Sequence, residues 1–323
     1  MTMKENILSI PSPLGSPINL FKFSWKGTRP KETISIVAGI QGNHLDGIYL
    51  CSLLIRFLDS VEARNEPEYQ LNGRINVIPA INVPAIQEGN RLWSFDELDM
   101  DLAFPGNDQG EITEQTAAAV YQHTKDSQYG IILHNGDNHY ENAPHLVCLK
   151  PDSINKDFVR SLGLQNAREP VNSPTFRLCL YSQWLEQKMT SVILSAGKPN
   201  HLNIPLCETL LSRLVNSLLW TGVLVHNRKK PKKFPVRFVS HDKENFVLAG
   251  SGGFFLPLVR PGSEIKKGQK IGEISNLYSG ISNESLFAKS SGHVVTLRDY
   301  PLVYEKEVVA VLLEKQKFRF WPF

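Results

Sequence analysis

A short apolar run that stops at two glycines and resumes as an amphipathic helix leaves a chain few folds to choose from. Residues 34–39 are such a run (Ile34, Ile36, Val37, Ala38) and read as a buried strand. Gly39 and Gly42 break it and permit a tight turn. Over residues 46–59 the apolar side chains Ile48, Leu50, Leu53, Leu54, Phe57 and Leu58 recur at helical spacing. Strand, glycine turn and helix set polar side chains at the carboxyl end of a strand, where α/β sheets bind their ligands. Those side chains are Gln41 and His44, three apart and able to aim at a common point such as a metal ion.

The rest of the chain repeats this alternation. Residues 74–81 read as a second buried strand, and a polar loop over about 83–112 is long enough to suggest a functional role. Thr113 can cap a helix to about Lys125, and 129–134 is a third strand that ends at His134. A loop over 135–142 follows, and Asp152 can cap a short helix that stops at Gly163. Residues 192–195 and 202–207 are strand candidates, and 209–221 form an amphipathic helix closed by Gly222. The expected fold class is α/β: a mixed, mostly parallel sheet with helices on both faces. This α/β domain spans residues 1–226. The basic stretch 227–233 reads as a solvated linker, because no aromatic residues interleave its charges. Residues 234–323 change to short strands with glycine turns, an all-β pattern.

Composition narrows the function classes. With 41% hydrophobic and 21% charged residues, the chain reads as an ordinary soluble globular protein. A net charge of +3 gives no case for nucleic-acid or membrane-surface partners. No signal-peptide pattern opens the sequence and no run reaches membrane-spanning length. The four cysteines form no CxxC pair and sit mostly in apolar runs, as buried thiols do in a reducing compartment. A cytoplasmic protein acting on a small molecule is the expectation, and a homo-oligomer is compatible with it.

Several stretches, taken in order, resemble one family. Gln41-Gly42-Asn43-His44 is similar to the His-Gly-x-Glu motif of the succinylglutamate desuccinylase/aspartoacylase family, relatives of the zinc carboxypeptidases, in which the His and Glu are zinc ligands. Asn82 and Pro84, Arg91, Phe104-Pro105-Gly106, Ile132-Leu133-His134 and the glycine-rich C-terminal part continue the likeness over nearly the whole chain. The C-terminal part resembles the barrel-sandwich domain that ends many members, without an acceptor lysine at a hairpin tip.

The resemblance implies one zinc ion per chain, held by Gln41, His44 and His134 with an open position for water. Gln41 stands where the family has His, as in certain peptidoglycan carboxypeptidases, and His44 stands where it has Glu. Asp46 is a second choice of ligand if the turn shifts, and His44 could instead cap or pack the helix start. Glu208, at the start of the last helix of this domain, corresponds to the general base, or is simply an acid favoured by the helix dipole. Arg91 corresponds to the group that steadies the oxyanion. On the substrate side stand Asn82, Asp101 and Leu102, the last two in place of an Asn-Arg pair that grips a carboxylate. Asp101 could equally cap its loop. Two functions follow: a zinc-dependent hydrolase of a linear amide, either deacylase or carboxypeptidase-like, and a catalytically silent small-molecule-binding protein on the same fold.

Overall fold

The computed structural model describes residues 3–13, 15–28, 32–149, 155–171 and 173–314. Its strands and helices, in chain order, begin with β1 (Met3–Ile10), β2 (Ile18–Lys26), β3 (Thr33–Val37), α1 (Leu45–Glu62), β4 (Tyr69–Leu71), β5 (Arg74–Ile78) and α2 (Val83–Glu88). Next come α3 (Ile112–Thr124), β6 (Tyr129–His134), β7 (Tyr140–Val147), α4 (Lys156–Ser161), β8 (Asn166–Arg168), α5 (Leu180–Glu186), β9 (Thr190–Gly197) and α6 (Ile204–Thr221). The C-terminal part is β10 (Leu224–His226), β11 (Arg237–Val239), β12 (Glu244–Leu248), β13 (Gly253–Pro257), β14 (Glu264–Ile265), β15 (Lys270–Ser275), β16 (Ser282–Phe287), β17 (Gly292–Arg298), β18 (Leu302–Val303) and β19 (Val308–Glu314). Short 3-10 turns lie at Met100–Leu102, Pro174–Leu178 and His241–Lys243.

The central sheet runs β1-β2-β5-β3-β6-β9-β7-β17-β19-β12. Its middle, β5-β3-β6-β9, is parallel, and the flanks are antiparallel. Period-two alternation explains how the middle strands are covered. Ile34, Ile36, Ile131, Leu133, Val192 and Leu194 face α1 and α6 in one buried cluster. Val37, Ile78 and Ile132 point the other way, into a cluster with Val120 of α3 and with Tyr181 and Trp184 of α5. This is the α/β layering expected from the sequence. Beyond residue 233, β12, β17 and β19 extend the central sheet through β7. Strands β16-β15-β13-β18 form a separate antiparallel sheet. All four cysteines are free thiols. Among the described residues no helix is long and apolar enough to cross a membrane.

Three expectations change. Residues 202–207 are not a strand: Asn203 caps α6 by accepting the Leu206 N–H at 3.1 Å, and Pro205 occupies the first turn, so the helix begins before Thr209. The long polar loop holds α2 and the 3-10 turn at Met100–Leu102. The short helix before Gly163 is capped by Asn155, whereas Asp152 lies outside the described residues.

Candidate functional site

The turn between β3 and α1 is built on its glycines. Gly39 has φ +71°, a conformation that costs glycine little. Gly42 packs against the backbone of α2, where a Cβ would stand 2.2 Å from the Ala85 carbonyl carbon. This close approach, with the Gly42 N–H donating to Arg91 O at 3.2 Å, turns the Gln41 side chain inward and buries it. His44 precedes the first residue of α1 and is buried too. His134 is the last residue of β6, the parallel neighbour of β3.

The third wall comes from the loop after α2. Arg91 Nη2 donates to Asp99 Oδ2 at 2.8 Å, and Asp99 Oδ1 accepts the Asp101 N–H at 3.1 Å. Asp99 thereby fixes the 3-10 turn and aims Asp101 at the strand ends. Gln41 Nε2 donates to Asp101 Oδ2 at 2.6 Å, and His134 Nε2 lies 3.6 Å from the same oxygen. His134 Nδ1 donates to Asn135 O at 2.7 Å, and the Asn135 N–H donates to His44 Nδ1 at 3.3 Å. The two imidazoles meet edge to face, with centroids 4.2 Å apart. Gln41 Oε1 and His44 Nε2 are buried without a hydrogen-bond partner. A buried polar atom left unpaired costs about 1–3 kcal/mol and calls for a ligand, ion or water.

Charge in this cluster is set by burial against pairing. Burial raises the Asp101 carboxyl, but His134 and Gln41 outweigh it and bring its pKa to about 2. Burial lowers the His134 imidazole, yet Asp101 reverses the balance and its pKa ends above the usual value. His44 is driven well below the usual range by burial and by its neighbour His134. Deeper in, burial lowers His145 to about 3 and keeps it neutral.

From His134 and Asp101 a cavity of about 280 Å³ runs between the ends of β6, β9 and β7. Its walls are mainly apolar, including Ile132, Val147, Phe176, Leu180 and Ile193. Arg168 also lines it and is closed by Glu244, with Nη2 donating to Oε2 at 2.8 Å and Nε 2.8 Å from Oε1.

The sequence-based candidates thus separate. Gln41, His44, Asp101 and His134 come together, and Arg91 stands behind Asp101 with Nη1 3.6 Å from Asp137 Oδ1. Asp46 is turned away, accepting hydrogen bonds from Asn135 Nδ2 at 3.0 Å and the Asn203 N–H at 2.7 Å. Asn82 is the buried cap of α2, accepting the Ala85 N–H at 3.3 Å. Leu102 is 42% exposed and does not line the cavity. Glu208 lies in the second turn of α6 on its exposed side, because the helix begins at Ile204 and carries it away from any strand end. The strand end that does reach the cavity is that of β9, and it offers Ser195, which accepts from Asn142 Nδ2 at 2.9 Å. Asp137, Ser195 and Glu244 were not singled out from sequence. Asp137 alone carried a signal, three residues after His134 in a polar loop.

The fold and this cluster define an α/β protein with a polar cluster and a cavity at the carboxyl ends of its parallel strands. Residues 30–174 match the family model described as the succinylglutamate desuccinylase/aspartoacylase catalytic domain. Among solved structures, a succinylglutamate desuccinylase/aspartoacylase from Rhodobacter sphaeroides superposes with TM-score 0.78 at 18% identity, over 98% of this chain and 96% of that one. An aspartoacylase family protein from Mesorhizobium loti gives 0.76 at 21% identity, over 98% and 95%. The product-bound ectoine utilization protein EutE (DoeB) from Ruegeria pomeroyi gives 0.79 at 16%, over 97% and 95%. At these identities the likeness is one of fold. A search of curated proteins finds no match. That match covers residues 30–174, and the whole chain shares the fold of structures from the same family. The match supports an enzyme of the desuccinylase/aspartoacylase type.

The family implies zinc, and the donors can be tested for it. Among the described residues no three His, Cys, Asp or Glu side chains form a group that could hold a metal. A metal here therefore needs the amide oxygen of Gln41. That oxygen is buried and unpaired, and it belongs to the side chain that contacts Asp101 beside His134. An imidazole and a carboxylate are ordinary zinc donors, and the unpaired Gln41 oxygen adds a neutral donor to them, so the residues present fit the ion.

Proposed function

We propose that this protein is a zinc-dependent hydrolase of a small linear amide, acting at the Gln41–His134–Asp101 cluster. The observation that carries the reading is Gln41 Oε1, an acceptor buried without a partner among charged groups at the parallel strand ends. Gln41 and His134 would hold the ion, which when bound supplies Lewis-acid polarisation of the scissile carbonyl. Arg91, fixed by Asp99, supplies positive charge beside the developing oxyanion. The apolar cavity walls hold the rest of the substrate and exclude water.

The reaction also needs a group to take a proton from the attacking water and pass it to the leaving amine. Glu208 is placed on the exposed side of α6 and does not line the cavity. Asp137 does line it, is 71% exposed at the side chain, and stands beside Arg91, so we assign the proton to an Asp137 carboxylate oxygen. Asp101 is less suited, since its oxygen is already engaged by Gln41 and His134.

The test is hydrolysis of N-acyl amino acids and N-acyl amines before and after chelation, with zinc content measured alongside. Turnover that is lost on chelation and restored by zinc is expected, with most zinc affinity lost in His134→Ala. Asp137→Asn should keep its zinc and lose on the order of 10²-fold in kcat. Unchanged turnover in that variant removes Asp137 from the mechanism. A second reading, ligand binding without turnover, is favoured by Ser195, which leaves the β9 strand end without a carboxylate. Binding of amides with no hydrolysis by zinc-loaded protein would decide for it.

A further inference from the structure

The donor set read from the sequence meets an obstacle at His44. A backbone N–H can only donate, and that of Asn135 points at His44 Nδ1. Nδ1 is then unprotonated, and in the neutral ring the hydrogen sits on Nε2. An N–H is not a metal ligand, since ligation requires a free lone pair. The unpaired buried Nε2 of His44 is thus a donor, not a vacant ligand.

His134 is the reverse case. Its Nδ1 faces a carbonyl, Asn135 O, at 2.7 Å and must carry the hydrogen, which leaves the lone pair on Nε2. This is the outer-shell hydrogen bond that metal-ligating histidines commonly make. The Nε2 lone pair looks at Asp101 Oδ2 across 3.6 Å. Two lone pairs so close repel unless a proton or a cation lies between them. The separation is short enough for one ion to touch both, because zinc takes nitrogen and oxygen donors at about 2 Å. Gln41 stands on the same carboxylate oxygen through its amide nitrogen at 2.6 Å and keeps Oε1 free.

We propose that Asp101, not His44, is the third protein donor of the zinc site, beside Gln41 and His134. The inference rests on the zinc reading above and changes which residues perform it. The carboxylate absent from the turn, where His44 stands in place of Glu, is supplied from the facing 3-10 turn, where Asp101 stands in place of Asn. The site keeps one negative charge although its ligands come from different elements. His44 becomes a positioning residue: it packs edge-on against His134 and accepts from Asn135, whose carbonyl orients the His134 ring.

Zinc affinity, by competition with a chromogenic chelator, and the visible spectrum of the cobalt-substituted protein test this without any turnover. The variants are Asp101→Asn, Asp101→Glu, His44→Gln and His134→Ala, each checked for folding by circular dichroism. Asp101→Asn is expected to raise the zinc Kd beyond the roughly 10–100-fold typical of losing an outer-shell partner. It should also change the cobalt spectrum, and Asp101→Glu should recover much of the affinity. His44→Gln is expected to stay within that outer-shell range and to keep the spectrum. Wild-type affinity in Asp101→Asn with loss in His44→Gln overturns the assignment and leaves the zinc reading standing. Wild-type protein that takes up neither zinc nor cobalt overturns both.

Discussion

Asp101 and His134 have pKa values pushed in opposite directions, so their contact makes a signed contribution to stability. In metal-free protein, Asp101 drops from 3.8 to about 2, held down by His134 and Gln41 against burial. Its contribution is present above pH 3.8 and fades as pH falls toward 2. His134 rises above 6.5, so its contribution is present below pH 6.5 and is lost as pH climbs through the raised value. Both operate together between about pH 3.8 and 6.5. Asp101→Asn should therefore cost most in that window, on the order of 2 kcal/mol, given about 1.4 kcal/mol per pKa unit. Chemical denaturation of apo-protein at pH 5 and pH 9 checks this. An equal loss at both values would mean that the two groups are not coupled.

At the scale of elements, the glycine turn after β3 is the least forgiving piece. An alanine at Gly42 would place Cβ 2.2 Å and 2.4 Å from the Ala85 carbonyl carbon and oxygen, and backbone cannot swing aside. Gly42→Ala should destabilise by about 2–4 kcal/mol, above the usual 1–3 for overpacking, and it should displace Gln41. Urea melts with zinc titration report both effects. This turn was legible in the sequence because strand, turn and helix each carry a local pattern: β3 and α1 lie within a few residues of where periodicity puts them. His134 at the end of β6 was legible for the same reason. The start of α6 was not: Leu202, Ile204 and Leu206 alternate like a strand, yet Leu202 and Ile204 are exposed and the cap at Asn203 decides the matter. That misplacement made Glu208 look like a strand-end acid. The place of Asp101 was hidden differently. Its neighbours Gln41 and His134 are 60 and 33 residues away in sequence, and only the Arg91–Asp99 pair brings the 3-10 turn over the strand ends.

At the scale of the whole molecule, the C-terminal strands are part of the pocket's electrostatics. Glu244 opens β12, a strand that reaches the central sheet only through β19 and β17. Its buried carboxylate meets Arg168 of β8 across the cavity wall through two contacts of 2.8 Å. Among the described residues that line the cavity, Arg168 is the only lysine or arginine, and this pairing uses up its charge. Arg91 is likewise held by Asp99, with Asp137 beside it. A substrate carboxylate entering the cavity would find no free guanidinium. Losing a charged hydrogen-bonding partner costs roughly 1.5–3 kcal/mol, or about 10–100-fold in kcat/KM. N-succinyl and N-acetyl dicarboxylates should therefore be poorer substrates than matched amides with a neutral or cationic far end. The arrangement makes the preference reversible. Glu244→Gln removes the counter-charge and frees the Arg168 fork for a carboxylate. The ratio of kcat/KM for N-succinyl over N-butyryl substrates should then rise by roughly 10-fold, a shift of about 1.4 kcal/mol, even though breaking a buried pair lowers the melting temperature. Because the readout is a ratio on one protein, partial unfolding cancels. A wild-type preference for dicarboxylates, or a ratio unmoved by Glu244→Gln, would show that Arg168 does not set the charge the pocket accepts.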